Sequence, residues 1–274
     1  MYATREFRRK EGIMLNNSSE PPAELIEAAD AGDLESLYDV GLFYASHKDI
    51  AVRNISKSVP YFKKAADRGH AKALCNMGFF YSQGEGVEQN EVLAADYFRK
   101  SAEAGLPQAM VNLAICYDRG RGVAIDKEKA VQWYLKAADE GIADAQYNIG
   151  LLYYVGDILE RDYSKAFYYF QKAADQMNTE ASYSLGLCYS LGHGVDKDEK
   201  LAVFYYKLAA ERNHPNAVYN LALYFLYGIG GLEADLNQAI DLLHKAIKLG
   251  NKKAKEMLQE VEDTIARVKE EEGL

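Results

Sequence analysis

The stretch Ala109–Gly141, AMVNLAICYDRGRGVAIDKEKAVQWYLKAADEG, contains two apolar patterns on either side of a glycine-rich break. In its first half, apolar residues recur at the spacing of one face of a helix, and a second stripe with the same spacing begins at Ala130. Glycines at 120, 122 and 141 mark the ends of the two segments, because glycine adopts the left-handed conformation that terminates helices. The stretch therefore predicts a first helix, a Gly-x-Gly loop, a second helix and a short turn.

This pattern recurs along the chain. Copies begin every 36 residues, a degenerate copy begins at Ser36, and a trailing half-copy begins at Ala254; the regular copies begin at Ala73, Ala109, Ala145, Ala181 and Ala217. Neither helix of a copy can bury its apolar stripe alone, so neighbouring copies are expected to stack. We predict a flexible arm (1–20), an N-terminal capping helix (21–35), six repeats within 36–253 (36–72, 73–108, 109–144, 145–180, 181–216 and 217–253), and a C-terminal capping helix with a frayed tail (254–274).

The repeated motif resembles the Sel1-like repeat family, a relative of the tetratricopeptide repeats. The resemblance lies in A-x-x-N-L-G-x-x-Y-x-x-G-x-G-V followed by K-A-x-x-W-Y-x-K-A-A-x-x-G, and Ala109–Gly141 matches it best. Three copies depart from it: His47-Lys48-Asp49 replaces the first Gly-x-Gly, Ile158 replaces one second glycine, and the last copy has an extra residue after Gly230. The resemblance implies an all-α, right-handed superhelical solenoid with the first helix of each pair on the concave side.

Composition narrows the function classes. The formal charge of −9 disfavours binding to nucleic acid, which needs clustered basic residues. The sequence has no apolar run long enough to span a membrane, and its basic N-terminal segment lacks the apolar core of a secretory signal. Three cysteines without a C-x-x-C pair favour a reducing compartment. We therefore expect a cytoplasmic protein that binds neither nucleic acid nor membrane.

Residues that could carry chemistry have a structural interpretation in each case. A phosphate-binding loop occurs once, after a strand, whereas the glycine pair here recurs between helices and is expected to be a turn. The five histidines lack metal-ligand spacing, and His193 is expected to be exposed in its glycine turn. Cys188 shares a copy with His193, but Cys116 occupies the equivalent place, which favours packing. Trp133 lies in a recurrent aromatic position and is expected in the core. We predict no catalytic residue, metal or cofactor.

A polar residue recurs at the third position after the leading alanine of each copy. It has two interpretations: it bonds an adjacent helix, because a buried amide without partners is costly, or it forms a ladder that binds an extended peptide. The residues are Asn76, Asn112, Asn148, Ser184 and Asn220.

Residues that vary among the copies are candidates for specificity. Tyrosine offers a large contact area and a hydrogen bond at small entropic cost, although packing between repeats is the alternative. The candidates are Tyr147, Tyr183, Tyr219, Asp118, Arg119, Tyr154, Tyr224 and Tyr227.

These observations predict a non-catalytic protein-binding module: an adaptor, scaffold or regulator that holds a protein segment in its concave groove. The alternative is an immunity-type antagonist that wraps an effector protein, and a hydrolase is a remote alternative. The sequence leaves partner identity and self-association open.

Overall fold

The computed structural model describes residues 20–46 and 53–272, and these residues form helices joined by short loops, with no strand among them. Three segments lie outside the described ranges: residues 1–19 of the predicted arm, residues 47–52 with the departure at His47-Lys48-Asp49, and the last two residues. The chain divides into two compact units, unit 1 up to Glu140 and unit 2 from Gly141.

Unit 1 consists of a short helix followed by three helix pairs. The first helix of each pair (the A helix) packs on the second (the B helix), and the B helix also packs on the next A helix of the unit. The helices are α1 (Ala23–Asp30), α2 (Leu34–Ser46), α3 (Ile55–Asp67), α4 (Ala71–Gln83), α5 (Glu91–Glu103), α6 (Pro107–Arg119) and α7 (Lys127–Asp139), of which α2, α4 and α6 are A helices.

Unit 2 repeats this arrangement and closes with a longer helix that packs on the last B helix. Its helices are α8 (Ala143–Val155), α9 (Tyr163–Asp175), α10 (Thr179–Leu191), α11 (Glu199–Glu211), α12 (Pro215–Tyr227), α13 (Leu236–Lys248) and α14 (Lys252–Glu272), of which α8, α10 and α12 are the A helices of three pairs. The all-α arrangement of stacked helix pairs confirms the predicted fold class.

Each B helix begins at an Asn or Asp whose side chain accepts a backbone N–H from the first turn. This contact satisfies one of the backbone donors left without a partner at a helix start. The capping residues are Asn54, Asn90, Asp126, Asp162, Asp198 and Asp235. The recurrence explains why six B helices of the same length begin at equivalent positions.

The A helices begin two residues before the alanines that mark the sequence copies. Those alanines, at positions 73, 109, 145, 181 and 217, have no exposed surface, as expected for places where helices approach closely. Glycine allows a still closer approach within four A helices. At Gly186, an added Cβ would lie 2.5 Å from the ring of Tyr206, which is itself 1% exposed. The small residues of the repeat therefore make room for the large rings of the B helices.

The cores of both units are apolar. Phe62 and Met77 are fully buried in unit 1, and Leu185 and Leu243 are fully buried in unit 2. Among the described residues, no helix has the combination of length and apolar character needed to cross a membrane.

Candidate functional site

The Gly-x-Gly loop, the first candidate ligand site, is occupied by protein contacts. Its second glycine lies against the start of the B helix in the preceding repeat. A Cβ on Gly194 would overlap the carbonyl oxygen of Tyr163, and a Cβ on Gly122 would overlap that of Glu91. The close approach that glycine permits is therefore to backbone of the same chain.

His193, between Gly192 and Gly194, was predicted to be exposed, and that prediction was wrong. Its ring is half-buried and stacks on Tyr163 at 4.1 Å between centroids and 11° between planes. Its Nδ1 also lies 3.0 Å from the hydroxyl of Tyr154. The loop brings the histidine onto the preceding repeat, so the ring joins two repeats.

The cysteines are buried, and their surroundings oppose ionisation. Burial raises the pKa of the Cys188 thiol from 9.0 to about 12, and Cys188 has no exposed surface. Because the thiolate is the nucleophilic form, this environment disfavours a Cys188–His193 nucleophile and base. Within residues 20–46 and 53–272, no cluster of three or more His, Cys, Asp or Glu residues could hold a metal ion.

The recurrent polar residues of the A helices mostly bond within the protein. The Asn112 amide donates to the Cys75 sulfur at 3.6 Å, and the Asn148 amide donates to the Asp144 carbonyl at 2.7 Å. Asn76 differs, because it is 9% exposed and its Nδ2 has no hydrogen-bond partner.

In unit 2, the same polar position joins consecutive repeats. Ser184 lies beside Tyr147, and Asn220 lies beside Tyr183. Burial raises the pKa of both tyrosines, and the adjacent polar side chain partly offsets that increase. Each pair links a tyrosine on one A helix with the polar residue on the next, so these contacts support the inter-helix interpretation of the polar ladder.

A second polar ladder, which the sequence analysis missed, lies at the starts of the A helices. In unit 2, Asn178, His214 and Asn251 each cap a helix by accepting a backbone N–H. A side-chain nitrogen that does not take part in the cap, Nδ2 of each asparagine and Nε2 of the histidine, donates to the first turn of the preceding A helix: Asn178 to Asp144 at 3.0 Å, His214 to Glu180 at 3.0 Å, and Asn251 to Asn216 at 2.9 Å. His70 of unit 1 makes the equivalent contacts with Ala73 and Glu35. The signal in the sequence was a capping residue that recurs at the repeat spacing.

The other predicted tyrosines differ in exposure. Tyr183 stacks on His214 at 4.3 Å between centroids, and the Tyr224 hydroxyl donates to Glu199. Tyr219 is half-buried and Tyr227 is 60% exposed. The structure therefore uses most of these rings in packing and leaves Tyr227 the most accessible.

A groove of about 510 Å³ brings together three of the predicted residues of unit 2. Tyr183, Tyr219 and Asn220 line it with residues from the starts of α12 and α14; the latter are Pro215, Asn216, Gly250, Asn251, Lys252 and Lys253. Tyrosine hydroxyls, amides and two lysines can donate hydrogen bonds there.

Exposed apolar residues recur at the ends of the A helices of unit 2. Val155, Leu191 and Tyr227, the last residues of α8, α10 and α12, are 50%, 54% and 60% exposed. The equivalent residues of unit 1 are polar: Ser46 is half-buried, and Gln83 and Arg119 are exposed. Beside Arg119, Asp118 pairs with Lys127 at 2.7 Å. Asp118 and Arg119 therefore belong to a polar helix end in unit 1, whereas the apolar ends belong to unit 2.

Comparisons with known proteins agree with this architecture. The sequence model of the Sel1 repeat matches residues 34–70, 71–106, 107–142, 143–176, 179–214 and 215–251. A search of curated proteins found none that matches the chain.

Solved structures give the same result. A protective antigen of uropathogenic Escherichia coli, described as displaying an SLR fold, is 30% identical over 89% of this chain, with a TM-score of 0.78. The chain spans only 51% of that antigen. A Sel1 repeat protein from Oxalobacter formigenes is 28% identical over 82% of this chain and 98% of its own, with a TM-score of 0.73. The immunity protein PA5088 from Pseudomonas aeruginosa is 21% identical over 81% of this chain and 83% of its own, with a TM-score of 0.51, which shows the fold alone.

Six matched repeats cover most of the sequence, and the helix pairs coincide with them. The chain belongs to the Sel1 repeat family.

Proposed function

We propose that this chain is a non-catalytic protein-binding module, an adaptor, scaffold or regulator, that holds a partner against the A helices of unit 2. The observation that carries the proposal is the row formed by Val155, Leu191 and Tyr227. Large apolar side chains that recur in an exposed row are typical of interaction surfaces, and tyrosine is frequent among residues that contribute most to binding.

The groove supplies polar contacts on the same A helix, α12, towards its start, whereas Tyr227 is at its end. Tyr219 and Asn220 line the groove, and Lys252 brings positive charge to its edge. We assign Tyr227 and Tyr219 to partner contact and assign Tyr147, Tyr154, Tyr183 and Tyr224 mainly to shaping the surface, because ring contacts or hydrogen bonds within the chain hold them. Asn148, half-buried on α8, belongs to the same proposed surface. The candidates in unit 1, Asn76, Asn112, Asp118 and Arg119, remain predictions.

The experiment is affinity capture from native extract with three forms of the full chain. The test variant carries Val155→Ser, Leu191→Ser and Tyr227→Ser. The matched control carries Val92→Ser and Ile125→Ser, which remove side chains of unit 1 that are 65% and 64% exposed. A protein retained by wild type and control but lost by the test variant would support the proposed surface. Equal recovery of every captured protein by all three forms would contradict it.

The same complex separates an adaptor from an antagonist. An antagonist reduces the activity of the captured protein in proportion to complex formation, whereas an adaptor leaves that activity intact. The antagonist interpretation stays a prediction until a partner is identified.

A further inference from the structure

Two large aromatic rings are exposed at equivalent positions of neighbouring B helices in unit 2. Tyr168 on α9 is 52% exposed, and Phe204 on α11, one repeat later, is 56% exposed. The other four copies carry no aromatic residue at this position: they have Pro60, Asp96, Gln132 and Asp241. The repeat therefore folds without an aromatic ring here, and the two rings need an explanation other than packing.

Both rings are held in the same way. Tyr168 lies edge-on to Tyr169 at 5.3 Å and 77°, and Phe204 lies edge-on to Tyr205 at 5.1 Å and 81°. The hydroxyl of Tyr205 donates to Gln171 of α9 at 3.2 Å, which joins the two helices beside the exposed rings. A ring already fixed in position loses little conformational entropy when a partner binds.

Lysines surround the rings. Lys165, Lys172 and Lys207 are exposed on the same two helices. Residues 163–174 and 200–210 contain no acidic residue, and the acidic residues of these helices, Asp175, Glu199 and Glu211, lie at the helix ends. The ammonium of Lys172 lies 4.7 Å from the ring centre of Tyr168, and that of Lys165 pairs with Asp162 at 3.4 Å at the helix start. Leu201 adds a side chain that is 39% exposed. In a chain of charge −9, the middle of this surface is basic and apolar, and its acidic residues are confined to the helix ends.

We propose that these side chains form a second docking surface, the B-helix patch (Lys165, Tyr168, Lys172, Leu201, Phe204 and Lys207), for an acidic protein segment with apolar anchors. The lysines complement carboxylates, and the two rings and Leu201 receive apolar side chains. The net negative charge of the chain opposes long-range attraction to nucleic acid or an anionic membrane, whereas a short acidic segment meets mainly the local field. This surface is separate from the A-helix row and does not depend on it.

The probe is a short fluorescein-labelled peptide of glutamate, leucine and phenylalanine, titrated with the full chain and followed by fluorescence anisotropy. The test variant carries Tyr168→Gln and Phe204→Asp, which install residues that other copies have at this position. The matched control, Val92→Gln and Leu93→Gln, removes exposed apolar side chains from the B helix α5. Thermal unfolding followed by circular dichroism verifies that each variant folds.

We expect the test variant to bind the peptide at least about tenfold more weakly than wild type and the control to bind it like wild type. Lys172→Glu with Lys207→Glu should weaken binding similarly and reduce its dependence on salt. Three further probes are the same peptide with lysine for glutamate, vesicles of phosphatidylserine and phosphatidylcholine, and a single-stranded oligonucleotide. An equal affinity for the lysine peptide, a preference for vesicles or oligonucleotide, or a folded test variant that keeps full affinity would overturn the proposal.

Discussion

Gly192 and Gly194, the two glycines of one loop, provide a test of the repeat packing because their backbone φ angles are nearly equal. Gly192 and Gly194 have φ angles of 73° and 75°, so alanine at either position incurs a similar left-handed strain of about 1–2 kcal/mol. Their surroundings differ. The nearest atom to a Cβ on Gly192 is a side-chain atom of Lys197 at 3.6 Å, whereas a Cβ on Gly194 would overlap backbone of Tyr163.

We therefore expect Gly192→Ala to lower the free energy of unfolding by about 1–2 kcal/mol through backbone strain alone. Gly194→Ala must also displace the start of α9, and overpacking of this kind adds about 1–3 kcal/mol, for a total of about 2–5 kcal/mol. A third variant, Gly250→Ala, has φ 88° and no atom within 4 Å of the added Cβ, so it should behave like Gly192→Ala.

Urea titration followed by far-ultraviolet circular dichroism compares the three variants with wild type. Repeat proteins can unfold in parts, so native-state hydrogen exchange should accompany the titration and should locate faster exchange in Gly194→Ala at the start of α9. If Gly192→Ala and Gly194→Ala are equally destabilised, the loop does not contact the preceding repeat as described, and the structural interpretation of the glycine pair fails.

Three further predictions concern the caps, the alanines and the thiols. His214→Ala should destabilise unit 2 by about 1–2 kcal/mol, and His214→Asn should restore most of that loss, because asparagine makes the same two contacts at other repeats; chemical unfolding of both variants measures the difference. Ala145→Leu should lower the free energy of unfolding by about 1–3 kcal/mol, because this alanine has no exposed surface. The control Ala234→Leu, at an exposed alanine, should change it by less than about 0.5 kcal/mol. Thermal melts compare the two variants, and a melt unchanged by Ala145→Leu would contradict the described packing. Burial raises the folded-state pKa of Cys188 and of Tyr206 to about 12. The stability that these groups contribute is therefore complete below their ordinary pKa values of 9.0 and 10.0 and is lost as pH rises towards 12. Urea titrations across this pH range should show the decline in the free energy of unfolding, and Cys188→Ala with Tyr206→Phe should make that decline less steep.

Much of the fold followed from periodicity. The spacing of the copies predicted helix pairs, and the alanines of the A helices predicted where helices approach, because these features are repeated in the sequence itself. The helix starts were less accessible. Leu106 and Ile142 stand where other A helices carry a capping side chain, so the capping residue recurs in only some of the copies and is a weak signal in the sequence.

The candidate site was less predictable because exposure depends on contacts between repeats. Tyr147 and Tyr183 vary among the copies, as contact residues do, but they pack against Phe170 and His214 and are half-buried. Tyr168 and Phe204 belong to aromatic runs that also contain buried and half-buried rings, so residue type alone does not show which ring is exposed. Their exposure depends on the rotation of α9 and α11 about their axes, which packing against the adjacent helices determines.

The last Gly-x-Gly loop differs from the others in a way that has a practical use. Gly230 still packs against Glu199 although Gly231 follows it as an additional residue, and the nearest atom to a Cβ on Gly231 is on the flexible side chain of Lys200. Loop length thus tolerates change downstream of the packed glycine. A fluorophore-labelling sequence or an epitope tag spliced in after Gly231 should leave the helix pair intact, which provides a handle for attaching reporters to unit 2.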